Sequence, residues 1–236
     1  MSNVISTVKL HLNKREMTFL VPLYITALVV VISVLISLLF WRAGSAPGSD
    51  GWVTGSRNNP AMLWSLPGFL VYMGVQSVAT TFPFALTLGA TRRAFAGGTL
   101  LWAAVTSAYL TAVLTLLTLL ELATNHWFAG FYLFDVFVLG AGNIWVLIPS
   151  VFLGTLFCLT AGGVFGAVWV RYGARGPLLL GAAIAIVVII GLIIILPGVA
   201  DIFASFELWW LAVFAAVAIL LSALGVWRFL RPAIVR

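Results

Sequence analysis

Charge is the scarcest property of this chain: of 236 residues only 8% are Asp, Glu, Lys or Arg, and no acid or lysine falls in the middle of an apolar run. That removes the carboxylate or lysine relay on which ion-coupled transporters usually rely. Lysine occurs only at Lys9 and Lys14, neither preceded by a glycine-rich loop, so the chain cannot be a P-loop ATPase by itself. Cys158 is the sole cysteine, which excludes an intrachain disulfide. His11 and His126 stand on opposite sides of the arrangement derived below, excluding a shared metal site or a histidine acid-base pair, and no histidine lies at bilayer depth to serve an intramembrane Ser-His hydrolase. The basic residues are too few and too scattered to track a phosphate backbone, so no nucleic acid is expected.

Apolar residues are abundant instead, at 63% of the chain with mean hydropathy +1.19, and they fall into runs long enough to cross a bilayer. An all-α polytopic membrane protein with six spans is predicted, the spans covering about Met17–Phe40, Ala61–Thr87, Gly98–Leu120, Asn143–Val170, Leu178–Val199 and Leu208–Trp227. Ahead of them, Met1–Glu16 places Val4, Ile5, Val8 and Leu12 near one helical face with Lys9, Lys14 and Arg15 elsewhere, the pattern of an amphipathic helix lying at an interface. Ala43–Pro60 reads as an exposed outer loop, and the aromatic, weakly charged Glu121–Gly142 as a helix or re-entrant piece at the outer interface, on the side opposite the amphipathic helix.

Six spans put both termini on one side, and ten of the twelve basic residues fall there, leaving only Arg42 and Arg57 opposite. By the positive-inside rule that side is cytoplasmic and the membrane is the cell's plasma (inner) membrane.

Between the second and third spans lies Leu88-Gly89-Ala90-Thr91-Arg92-Arg93-Ala94-Phe95-Ala96-Gly97-Gly98. Gly89 and the Gly97-Gly98 pair are expected to interrupt helical continuity, and Thr91 to cap a short helix from which Arg92, Arg93 and Phe95 project. A basic loop serving only to orient the spans accounts for the arginines but not for the glycines or the ring. Within the spans, Gln76 and Thr80 on the second and Thr111 and Thr115 on the third form polar stripes that are candidates for a substrate path. Threonines also bond back to their own helices, whereas the Gln76 amide requires a partner or cavity. Ser150, Gly154, Cys158, Gly162 and Gly166 recur every fourth residue on the fourth span as a ridge that lets another helix approach closely. Pro83 is expected to kink the second span just before the basic tip.

The order of parts, together with Gly89-Ala90-Thr91-Arg92-Arg93-Ala94-Phe95, resembles the membrane subunit of type-2 ABC exporters. The resemblance extends along the whole chain, but its specific part is that seven-residue tip. It implies that residues 88–97 form a coupling helix docked on a separate ATPase subunit through Gly89, Thr91, Arg92, Arg93 and Phe95, and that residues 1–16 form a connecting helix. It also implies that ATP and Mg sit on that partner, with no cofactor in this chain, and that the permease works as a homodimer or with a second, similar permease. Pro197–Glu207 is too short for the re-entrant outer helices common in the family. The absence of buried charge favours a lipid-like, peptide or hydrophobic drug-like cargo. Two other classes fit the same residues: an ion-gradient-driven transporter, and a membrane sensor or assembly protein whose tip binds a cytosolic partner.

Overall fold

The computed structural model describes residues 4–198, 207 and 209–231. Its helices are α1 (Val4–Leu12), α2 (Val21–Arg42), α3 (Asp50–Arg57), α4 (Ala61–Ser65), α5 (Pro67–Ala79), α6 (Thr81–Thr87), α7 (Arg92–Ala123), α8 (Ile144–Tyr172), α9 (Arg175–Ile195) and α10 (Trp209–Leu230). Six helical stretches are long and apolar enough to span a membrane, and the described residues contain no strand, so this is an all-α polytopic membrane protein. The expected link Pro197–Glu207 and the basic tail beyond Arg231 lie largely outside the described residues.

The core is α5, α7 and α8, with α1 laid on α7, and α9 and α10 on α8. Close approach of α5 and α8 depends on glycine. A methyl on Gly162 would overlap the Val71 carbonyl oxygen, one on Gly74 would overlap the Leu159 carbonyl oxygen, and one on Gly166 would come within 2.6 Å of the Val75 carbonyl oxygen. The small-residue ridge is therefore a helix-packing surface at Gly162 and Gly166, as its spacing predicts. It does not continue to Gly154, where an added methyl meets nothing within 4 Å; Gly154 and Cys158 line a cavity of about 120 Å³ instead.

The second span is broken at Thr80, between α5 and α6. Pro83 cannot donate to the Ala79 carbonyl, and the Thr80 hydroxyl takes up the Gln76 carbonyl at 2.8 Å. The third span is longer than expected, 32 residues from Arg92 to Ala123 without interruption.

Two connections at the end opposite the basic residues are structured. Residues 43–60 contain α3, capped by the Ser49 hydroxyl and anchored by buried Trp52, whose indole N–H donates to the Gly130 carbonyl at 2.7 Å. Residues 121–142 fold as a cap on the bundle: Leu133, Phe134, Val136 and Leu139 reach down to Leu114, Leu147 and Val151. The cap is organised by Glu121, which is fully buried at the end of α7. Its carboxylate accepts from the backbone N–H groups of Leu133, Phe134 and Asp135 and from the Trp127 indole at 2.8–3.2 Å. Beside it, Asp135 accepts from Arg57 at 2.6 Å and pairs with His126 at 3.0 Å, tying the cap to α3.

Candidate functional site

The basic end of the molecule holds the residues singled out from the sequence. α6 ends in a Schellman turn: Gly89 has φ +80, its N–H donates to the Leu86 carbonyl at 2.9 Å and the Ala90 N–H to the Ala85 carbonyl at 3.0 Å. Thr91 then caps α7, its hydroxyl accepting from the Ala94 N–H at 3.2 Å. A glycine turn followed directly by a threonine cap makes the tip a three-residue corner, with Leu88, Gly89, Thr91 and Arg93 exposed or partly exposed.

Three expectations about this stretch are corrected. No separate helix spans 88–97, because residues 92–97 are the first turns of α7. Gly97-Gly98 does not break the helix; it seats α1, since a methyl on Gly98 would fall 2.5 Å from the Thr7 Cβ and 2.8 Å from the Val4 carbonyl oxygen. Phe95 does not project. Its ring is fully buried against Phe82, Val78, Ala167, Val226 and Leu230, with the Phe82 ring edge-on at 5.1 Å. Helical phase explains this: once the helix begins at Arg92, position 95 turns back toward the bundle, where the kinked α6 delivers Phe82.

The arginines also diverge. The Arg92 guanidinium donates to the terminal carbonyls of α10 at Leu230 and Arg231, closing that helix where its dipole is negative. Arg93 keeps its guanidinium 5.9 Å from the centre of the Trp227 ring and remains partly open to solvent.

α1 packs on α7 through Thr7 and His11, one turn apart and both buried, leaving Val4 and Ile5 of its apolar face exposed. His11 stacks on Trp102 at 5.0 Å and lies 5.7 Å from Phe95. Its Nε2 is 3.0 Å from the Thr99 hydroxyl, which itself donates to the Phe95 carbonyl, so the imidazole carries its proton on Nε2. Desolvation, aided by the nearby Lys14 charge, pushes the His11 pKa down to about 4. A lone histidine in a basic amphipathic segment gives no sign of such a role; its one-turn spacing from Thr7 and the facing Gly97-Gly98 pair are the only cues in the sequence.

Between α1, the start of the first span, α5 and α7 lies a cavity of about 380 Å³. Gln76 and Thr80 line it, joined by Ser77, Thr81, Thr18 and Lys14 above a floor containing Trp102. Thr111 and Thr115 are not among its walls: Thr111 donates to the Ser107 carbonyl at 2.7 Å, and the Thr115 hydroxyl is buried without a partner. The stripe on α7 is thus separate from the polar cluster on α5 and α6, which meet at the helix break at Thr80.

The fold and this end of the molecule define a six-span integral membrane protein with a half-open cavity that mixes apolar side chains with hydroxyl and amide groups. No protein-family model, curated protein or solved structure matches the chain.

Proposed function

We propose that this chain is the permease subunit of an ATP-driven exporter of the type-2 ABC class, with the basic end in the cytoplasm and the corner at Gly89–Arg93 resting on a separate ATPase. The observation that carries this reading is the corner itself. A glycine turn and a threonine cap hold Arg93 and the 43%-exposed Leu88 at the outermost point of a hairpin whose return leg is an unbroken helix. Leu88 takes the place of Phe95 as the apolar anchor, and Arg93 supplies the charge for an acidic or carbonyl rim.

Two features support it further. α1 and Phe95 clamp the base of the hairpin, so movement at the corner is passed into the core and not absorbed locally. The cavity lined by Gln76 and Thr80 lies directly behind, uncharged apart from Lys14 and the neutral His11, which suits a lipid-like, peptide or hydrophobic drug-like cargo better than an ion. ATP and Mg then belong to the partner. The weakly buried helices, α2, α9 and α10, are left for lipid and for a second permease copy or a similar subunit.

The test is recovery from the native membrane. Tagged chain extracted in mild detergent should bring down an ABC ATPase stoichiometrically, and Leu88→Ala with Arg93→Glu should lose at least about 90% of it, roughly the loss of one buried anchor. Recovery of the chain alone, or equal recovery with the double variant, refutes the assignment.

A further inference from the structure

At the opposite end of the molecule from the corner, a groove of about 490 Å³ separates α2 from α3. Its α2 wall is Ser33, Ile36, Ser37 and Phe40, one helical face that descends from near the helix end toward its middle. Its α3 wall contains Gly51, Gly55 and Ser56, with Asn59 beneath and Ser45 at the rim.

Many hydroxyls elsewhere in the spans bond within their own helix, although that of Thr115 does not. Thr26, Thr99, Thr106, Ser107, Thr111, Thr118 and Thr160 each donate to the carbonyl one turn earlier in their own helix. Among the described residues, the side chains of Ser37, Ser45 and Ser56 make no hydrogen bond at all, and that of Ser33 only accepts, from the Asn59 amide at 3.2 Å. Ser33 and Ser37 lie on a spanning helix, where an unsatisfied hydroxyl is a group awaiting a partner, and Ser45 and Ser56 face them from the 43–60 connection. Methyl groups built on Gly51 and Gly55, which lie one turn apart, would meet nothing within 4 Å, so the α3 side is open. Asp, Glu, Lys and Arg are absent from the lining. Ile36 and Phe40 are 45% and 58% exposed, so the groove merges sideways into a lipid-facing surface.

We infer that this groove is a binding site for an uncharged, hydroxyl-rich headgroup, a sugar or glycerol unit, carried on an amphiphile whose chain lies along Ile36 and Phe40. The absence of charge disfavours a phosphate or choline head, and each unbonded serine hydroxyl can both donate and accept, as the hydroxyls of a sugar or glycerol unit require. The inference is independent of the exporter reading and of the orientation of the chain in the membrane.

The full chain in nanodiscs is loaded with monoglucosyl diacylglycerol, with diacylglycerol of the same acyl chains, or with phosphatidylglycerol, and lipid retention is read by intact-complex mass spectrometry. The glucosyl lipid should be retained on the order of tenfold better than either, the worth of about two neutral hydrogen bonds. Gly55→Leu should abolish that preference by filling the groove while leaving thermal unfolding unchanged, and Ser37→Ala with Ser56→Ala should abolish it without adding volume. Displacement by millimolar maltose would support recognition of the sugar alone, and resistance to maltose a requirement for the lipid-borne form. Equal retention of all three lipids, or a glucosyl preference that survives both variants, overturns the site.

Discussion

Phe95 shows how one residue's role depends on where its helix starts. Had α7 begun after Gly98, the ring would have been a projecting knob; because Thr91 caps the helix, it is the centre of a cluster joining α6, α7, α8 and α10. Phe95→Ala should therefore destabilise the bundle by about 3 kcal/mol through the cavity it leaves. Arg93→Ala should leave stability unchanged. Unfolding midpoints of the two variants in mixed micelles check both expectations. His11 sets a second test. Its pKa is lowered in the folded state to about 4 from an ordinary 6.5, so the unfolded or undocked form binds more protons. The contribution of neutral His11 to docking is complete above pH 6.5 and is lost progressively as pH falls toward 4. Spin labels on α1 and α7 should separate over that window in the parent protein and not in His11→Phe. At the other end, Glu121→Ala would leave three buried backbone N–H donors and the half-buried Trp127 indole without their acceptor. The segment 121–142 should then become protease-sensitive while the six spans stay intact.

The elements legible in the sequence are those defined by local composition. Each span is a run of apolar residues, and each run lies within a few residues of its observed limits, apart from the second, which starts at Pro67 and not the expected Ala61, and the third, which starts at Arg92 and not the expected Gly98. The close contact of α5 with α8 is legible at Gly162 and Gly166 because a four-residue spacing has a single geometric meaning on a helix. Contacts between distant parts of the chain are not legible in this way. Gly97-Gly98 resembles a break because its partner Thr7 lies some ninety positions earlier. Residues 121–142 read as merely aromatic, because the Glu121 cradle forms only once the backbone at 133–135 folds back onto it. Of the candidate path, Gln76 and Thr80 meet in one cavity, and the α7 threonines, equally periodic, do not join them. Gly162→Leu should force α5 from α8 and cost on the order of 3 kcal/mol, whereas Gly154→Ala should be neutral. Helix-pair crosslinking yields and unfolding midpoints would distinguish the two.

At the scale of the molecule, the basic residues at one end set the orientation expected in a membrane. With Cys158 replaced, Thr54→Cys should react with an impermeant reagent added outside intact cells and Arg93→Cys should not; the reverse labelling would invert the topology. The two legs of the hairpin differ in stiffness. α7 is a single rod of about 48 Å, longer than the bilayer core of about 30 Å, whereas its companion is jointed at Thr80. Load applied at the corner thus meets one strut and one elbow, and the elbow bends where Gln76, Thr80 and Thr81 form the cavity wall. Because Thr81 of α6 lines the cavity, a swing of α6 about Thr80 would alter its width. Pro83→Ala, by restoring the missing donor, should splint the elbow, narrowing the distribution of spin-label distances across the cavity while leaving the corner as exposed as before.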